Sequence, residues 1–318
     1  MPAIKPGQWG SAMSYPKEVT DHLTTLRDYI RWGASRFNHA QLFFGHGTAN
    51  AIDEAAALAL HALHLPHNLP GGYFNCVLTP DERLEVVGLF ERRIAERKPA
   101  AYLTHEAWFC GLPFFVDERV LVPRSPIAEL IEKQFSPWLG QPDEVTDILD
   151  LCTGSGCIAI ACALAFPEAL VDAVDISADA LAVAKINVAK HEVGEEVRLL
   201  RSDVFDALEG KRYDLIVSNP PYVGSEEWRG LPAEYHAEPR LGLESGSSGL
   251  DCVRRILRQA EAHLKPDGLL IVEVGNSAEA LEYAYPDVPF CWIDFERGGD
   301  GVFLLTAAQL AEYRAQFA

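Results

Sequence analysis

The sequence predicts an α/β fold: a seven-stranded, mostly parallel sheet with helices on both faces, preceded by a small helical domain and a β-hairpin. Three observations predict it. After Pro142, apolar runs of strand length alternate with helix-length segments. A glycine loop, Gly154-Ser155-Gly156, stands where the first of those strands meets its helix. The last two strands are separated only by Glu296-Arg297-Gly298-Gly299-Asp300-Gly301, too short for a crossover helix, so they must pair antiparallel.

Taken in order, residues 1–16 read as a loose tail, with no apolar segment behind a basic start and hence no secretory signal. Glu18–Phe37, Ala49–Leu65 and Asp81–Arg97 carry apolar residues at three- and four-residue spacing and read as helices. Thr79-Pro80-Asp81-Glu82 is a start signal for the third. These make a helical domain over 1–98. Within 99–124, AYLTHEAWFC and PFFVDERVLV flank Gly111-Leu112-Pro113 and read as a hairpin bridging to the larger domain, 125–318. That domain opens with a helix, Pro126–Phe135. Strands follow at Thr146–Cys152, Val171–Ile176, Val197–Ser202, Tyr213–Ser218, Leu269–Gly275, Phe290–Phe295 and Val302–Thr306, with helices between the first five pairs where the spacing permits.

A length of 318 residues suits two domains, and 48% hydrophobic residues supply a sizeable core. The longest apolar stretches, such as Cys157–Phe166 and Leu269–Val274, fall short of the ~20 residues of a membrane span. Seven cysteines include no C-x-x-C pair; Cys152, Cys157 and Cys162 lie in an apolar strand-to-helix segment and read as reduced, buried thiols, which points to the cytoplasm. A formal charge of -19 argues against a surface built to neutralise phosphates and favours a basic protein partner over direct contact with nucleic acid or membrane. His61, His64 and His67 recur every three residues, but the third lies beyond Pro66 and no carboxylate or thiol cluster accompanies them, so no metal is expected.

Asp150-Leu151-Cys152-Thr153-Gly154-Ser155-Gly156 ends a strand and opens a helix, where backbone N–H groups can approach a ligand closely. Gly154-x-Gly156-x-x-Ala159, with Asp175 downstream, also fits a dinucleotide fingerprint. Asp150 tips the balance. A carboxylate beside the loop suits a ligand carrying an ammonium and a sulfonium, as in S-adenosylmethionine, and repels a pyrophosphate. It is equally placed to hydrogen-bond the loop's own backbone, and the two roles are compatible. Asp175 and Ile176 end the second strand, where a carboxylate can accept from ribose hydroxyls; Ser177 is the better N-cap for the next helix. Asp203-Val204-Phe205 ends the third, and its acid and apolar neighbours suit adenine's amine and faces, though a simple turn fits as well.

The fourth strand runs into Asn219-Pro220-Pro221-Tyr222. Two prolines stiffen this loop and leave nearby carbonyls free as acceptors. A planar nitrogen is a poor nucleophile, and accepting hydrogen bonds from its N–H groups through the Asn219 side chain and the Pro220 carbonyl would aim it at an electrophilic methyl. Tyr222 would pack on the planar group. Glu234, Glu238, Arg240 and Glu244 read as a charged lid over the substrate, or as a solvated loop.

DLCTGSGCIAI, AVDIS, SDVF and SNPPYV, in that order and behind a helical domain and hairpin, resemble the motifs of the amide-nitrogen methyltransferases that modify glutamine in release factors and in a ribosomal protein. The resemblance implies the class I methyltransferase fold, S-adenosylmethionine as donor with S-adenosylhomocysteine as product, and N5-methylglutamine in the acceptor. It carries cofactor contacts onto Asp150 to Gly156, Asp175, Ile176, Asp203, Val204, Phe205 and Asn219, and substrate contacts onto Asn219 to Tyr222 and Arg124, with the helical domain recognising the substrate. Where the release-factor branch usually has arginine-proline-acid-threonine-glutamate, this chain has Arg124-Ser125-Pro126-Ile127-Ala128. With LPAEYHAEPRLGLESGSSGLD, that departure favours the branch acting on large-subunit ribosomal protein three. The alternatives are release-factor methylation, adenine-N6 methylation of DNA, for which a basic groove is wanting, and an assembly factor with a vestigial cofactor pocket.

Overall fold

A computed structural model describes residues 17–318, so the stretch read as a loose tail lies outside the described residues. The chain divides into two compact units: 17–44 with Thr48–Arg97, and Gly45–Gly47 with Lys98–Ala318.

The first unit holds α1 (Lys17–His22), α2 (Leu26–His39), α3 (Ala51–Ala62) and α4 (Pro80–Glu96). The single helix expected over Glu18–Phe37 is broken because Thr25 and Asp28 form a capping box: Asp28 N–H donates to Thr25 Oγ1 and Thr25 N–H donates to Asp28 Oδ2. Thr79 and Glu82 start α4 in the same way. Tyr29, Phe37, Leu58, Val86 and Phe90 fill the core. Gly33 lets α2 approach α4, since a Cβ there would lie 2.3 Å from the Phe90 ring. Arg93 is fully buried and donates to Glu54 at 2.7 Å.

In the second unit AYLT does not form a strand. Pro99 starts a short helix, α5 (Ala100–Thr104), and only β1 (Ala107–Phe109) and β2 (Leu112–Phe114) pair as the hairpin. It is fastened to the sheet domain by Asn187, whose side chain accepts from Phe115 N–H and donates to Phe115 C=O. After α6 (Ile127–Glu132) come β3 (Asp147–Leu151), α7 (Cys157–Ala165), β4 (Leu170–Asp175), α8 (Ala178–Lys190), β5 (Val197–Arg201), β6 (Tyr213–Ser218), α9 (Ser225–Gly230), α10 (Asp251–Gln259), β7 (Leu264–Glu273), α11 (Ala278–Ala284), β8 (Cys291–Trp292), β9 (Val302–Thr306) and α12 (Ala307–Glu312). Turns alone link β5 to β6.

The sheet order is β5-β4-β3-β6-β7-β9-β8, with β9 antiparallel to both neighbours. The expected antiparallel pairing of the last two strands is present, although β8 is shorter than Phe290–Phe295. Successive strand residues face opposite layers. Ile148, Val171, Leu215 and Ile271 pack under α6 and α7. Leu149, Val174, Ile216 and Leu270 pack against α10 and α12. The order reverses between β3 and β6, so the C-terminal ends of β3, β4 and β6 open onto one crevice. Among the described residues no helix is long and apolar enough to cross a membrane.

Candidate active site

A cavity of about 400 Å³ lies at that crevice. Its floor is the loop from β3 to α7. Gly154 and Gly156 take positive φ, +55° and +81°. A side chain at Gly154 would meet no atom within 4 Å, whereas one at Gly156 would press on the Ala184 Cβ at 3.2 Å. The first glycine therefore leaves open space for a ligand against the backbone, and the second lets α7 and α8 close up.

Asp150 sits beneath this floor, 1% exposed and off the cavity wall, as does Leu151. Its Oδ2 accepts from Thr153 Oγ1 at 2.5 Å and from Ala159 N–H at 3.1 Å, so its visible work is to brace the loop. Burial pushes its carboxyl up to about 7, and its Oδ1 has no partner among the described residues. Asp175 lies on the wall and accepts from Gly154 N–H at 2.9 Å and Ser177 N–H at 2.8 Å; Ser177 caps α8. Burial raises the Asp175 carboxyl as well. Ile176 lines the cavity and is exposed.

Cys152, Thr153, Ser155, Asp203 and Val204 also line the wall. Phe205 does not: it is buried and stacks on His263 with ring centroids 4.5 Å apart. Asp203 is instead paired with Arg255 of α10 at 2.7 Å. Cys152 departs from the buried thiol expected of it. It faces Cys252 across the cavity wall with the sulfurs 4.0 Å apart, while Cys157 and Cys162 are buried.

Asn219 and Pro221 reach the cavity from the end of β6; Pro220 is buried behind them. Among the described residues nothing hydrogen-bonds the Asn219 side chain, which leaves its amide available. Tyr222 follows Pro221 just outside the residues that line the cavity. Its hydroxyl donates to Glu273 at 3.0 Å, its carbonyl accepts from Ser277 Oγ at 2.7 Å, and its ring lies where a Cβ on Gly275 would be, 2.7 Å from Cε2.

Arg124 lines the cavity and its guanidinium is bidentate on Glu238, at 2.6 and 2.8 Å. Burial raises the Glu238 carboxyl, but Arg124 and the hydrogen-bonded His46 ring outweigh it and hold the carboxyl down at about 2, and Val122 N–H also donates to it at 2.9 Å. Of the four residues read as a lid, Glu234 and Glu238 are buried and Arg240 is paired with Glu244, so this stretch is a packed wall and not a solvated loop. His61, His64 and His67 are exposed.

Sequence reasoning missed Ser125, Arg255 and Glu273. Glu273 carried a readable signal, because it is the lone acid near the end of the otherwise apolar run Leu269–Val274, as Asp150 and Asp175 are near the ends of theirs. Arg255 carried none, since an arginine in an amphipathic helix is ordinarily solvated.

A family model, "Methyltransferase small domain", matches residues 138–230. A "Ribosomal protein uL3 glutamine methyltransferase" of Francisella tularensis subsp. tularensis is 47% identical over 95% of this chain and 96% of its own. One of the same name from Xanthomonas campestris pv. campestris is 54% identical over 94% of this chain and 96% of its own. Among solved structures, a methyltransferase from Pyrococcus furiosus aligns over 62% of this chain and 89% of its own at 18% identity, with a TM-score of 0.46. With identity near half over almost the full length of both chains, the protein is a methyltransferase and belongs to the ribosomal protein uL3 glutamine methyltransferase family.

Proposed function

We propose that the chain transfers a methyl group from S-adenosylmethionine to the side-chain amide nitrogen of a glutamine in ribosomal protein uL3, in the cytoplasm. The observation that carries this reading is Asn219: a side-chain amide without a protein partner, held by a proline-stiffened loop on the wall of a cavity built from strand-end acids. The cavity volume lies within the range of small-molecule sites. The open face of Gly154 and the carboxylates of Asp175 and Asp203 fit a nucleoside bearing a ribose and an exocyclic amine.

The bound donor supplies an electrophilic methyl on a sulfonium. Asp175 binds the ribose hydroxyls while keeping its bonds to Gly154 and Ser177. Asp203, steadied by Arg255, with Ile176 and Val204, receives the adenine; Phe205 supports Val204 from the core. Asp150 holds Thr153 and the start of α7 in place, and Leu151, Cys152, Thr153 and Ser155 shape the floor. Asn219 Oδ1 and the Pro220 carbonyl accept the two N–H bonds of the glutamine amide, which orients its lone pair and favours the positive charge that develops on nitrogen. The methylated nitrogen is acidic enough to lose its proton without a dedicated base. Tyr222 packs on the amide plane and Arg124 borders the acceptor's entry, while the helical unit recognises the protein substrate. The chain's charge of -19 suits a basic acceptor.

The test is transfer of label from S-adenosylmethionine to recombinant uL3, release factor and duplex DNA in parallel, with mass spectrometry to find the modified residue. A methylated glutamine in uL3 alone is the expected result. Label on release factor or adenine, or binding of the donor without transfer to any acceptor, overturns it.

A further inference from the structure

We propose that Ser125 and Glu273 are positioning residues for this reaction, a buried pair that fixes the ring of Tyr222 by holding its hydroxyl. The inference rests on Tyr222 being a wall for the acceptor amide. Glu273, the last residue of β7, is 5% exposed. Its Oε2 accepts from Ser125 Oγ at 2.5 Å and its Oε1 accepts from the Tyr222 hydroxyl at 3.0 Å. Ser125 is itself fixed, because its Oγ accepts from Ile127 N–H at 3.2 Å at the start of α6. The carboxylate thus spans two separate stretches of chain, the segment ahead of α6 and the tetrapeptide after β6. Gly275 completes the seat by leaving room for the ring, and Ser277 holds the Tyr222 carbonyl.

The arrangement costs something, which argues that it does more than fill space. A carboxylate in the interior is retained only where its charge or its acceptor geometry is used. The groups facing it are Ser125 and Arg124 from the segment ahead of α6, Tyr222 after β6, and Asp300 ahead of β9. Burial is the largest influence and pushes the carboxyl up to about 7; the Ser125 and Tyr222 hydroxyls and then Arg124 favour its ionised form, and Asp300 opposes it. Ionised, the carboxylate accepts from both hydroxyls; protonated, it keeps one acceptor oxygen and turns its own O–H on the partner at the other. Protonation therefore reverses one of the two bonds and removes the charge beside the Tyr222 ring while the ring stays held.

The experiment combines turnover with recombinant uL3 and the fluorine resonance of 3-fluorotyrosine placed at position 222 in the full chain. Glu273→Ala is expected to lower kcat by about 10–100-fold, with KM for S-adenosylmethionine changed less than about twofold, because a small displacement at the reacting centre is enough for that loss. Glu273→Gln, whose carbonyl accepts from Tyr222 while its N–H₂ donates to Ser125, recovers most of it. Wild-type kcat is expected to stay level as pH crosses about 7, because the protonated carboxyl offers the same one acceptor and one donor as the Gln variant's amide. The effects of Tyr222→Phe and Glu273→Ala are expected not to multiply in the double variant. A Gln variant as poor as Ala, or multiplying effects, overturns the pairing. The resonance separates this from the function itself. If it titrates near pH 7 in wild type but not in Glu273→Gln while uL3 remains unmethylated, the pairing stands and the substrate reading falls; if it does not titrate, the pairing falls whatever the turnover.

Discussion

Asn219 and Asp175 illustrate two ways in which one residue can serve a site. Asn219 has no structural partner among the described residues, so its replacement removes little besides its action on the nucleophile. Asn219→Ala is expected to abolish turnover while leaving S-adenosylmethionine affinity within about threefold, read by single-turnover assay and calorimetry. Asp175 is already bonded to Gly154 and Ser177, so its loss disturbs the loop as well as the ribose contact. Hydrogen bonds to a charged group contribute about 1.5–3 kcal/mol, so Asp175→Ala should weaken donor binding by at least about tenfold. Both residues were legible in the sequence because each ends an apolar strand, where a polar side chain is dispensable for packing. Phe205 was misread for the complementary reason: an aromatic residue after a strand serves core and cofactor equally well on paper. Its stack on His263, which is distant in sequence, decides for the core.

At the scale of elements, the turn from β3 to α7 is under the strictest demand. Gly156 needs both a positive φ and closeness to α8, so Gly156→Ala combines left-handed strain of about 1–2 kcal/mol with a 3.2 Å contact to Ala184. A lower thermal midpoint and a weakened donor complex are expected together; an unchanged midpoint would show that the loop can relax. In the helical unit, the pair of Arg93 on α4 with Glu54 on α3 is buried on both sides. Glu54→Ala leaves the guanidinium short of its carboxylate and should cost about 3–5 kcal/mol, visible as faster hydrogen exchange in both helices. Periodicity located α3 and α4 but ran α1 and α2 together, since Thr25 carries no hydrophobic signal. The break depends on its side chain finding the Asp28 N–H. AYLT reads as a strand by composition and is helical because Pro99 sets its first turn, and the Tyr102 hydroxyl then bonds the Val120 carbonyl.

For the whole molecule, buried carboxylates pull stability in opposite directions as pH changes. Glu238, held down at about 2, contributes stability that is present above the ordinary carboxylate range and is lost as pH falls toward 2. Asp150 and Glu273, raised to about 7, favour the folded state when protonated, and that contribution is lost as pH rises from about 4 to 7. Self-repulsion among the surface acids acts in the same direction on the neutral side. The thermal midpoint is therefore expected to peak in acid solution, between about pH 4 and 5, with Glu273→Gln flattening the neutral limb; a midpoint still climbing at pH 8 would contradict this. The sequence by itself determined the alternation that makes a parallel sheet, the antiparallel final pair, the glycine loop, the strand-end acids and the Asn219 tetrapeptide, because each is a local pattern with a local physical cause. Tertiary structure alone decided that Glu238 is clamped on Arg124, that Arg255 steadies Asp203, and that Ser125 and Glu273 meet at Tyr222. Those pairings join residues from 51 to 148 positions apart along the chain, and chain closure on that scale is set by how the sheet and its helices pack, which no short stretch of sequence encodes.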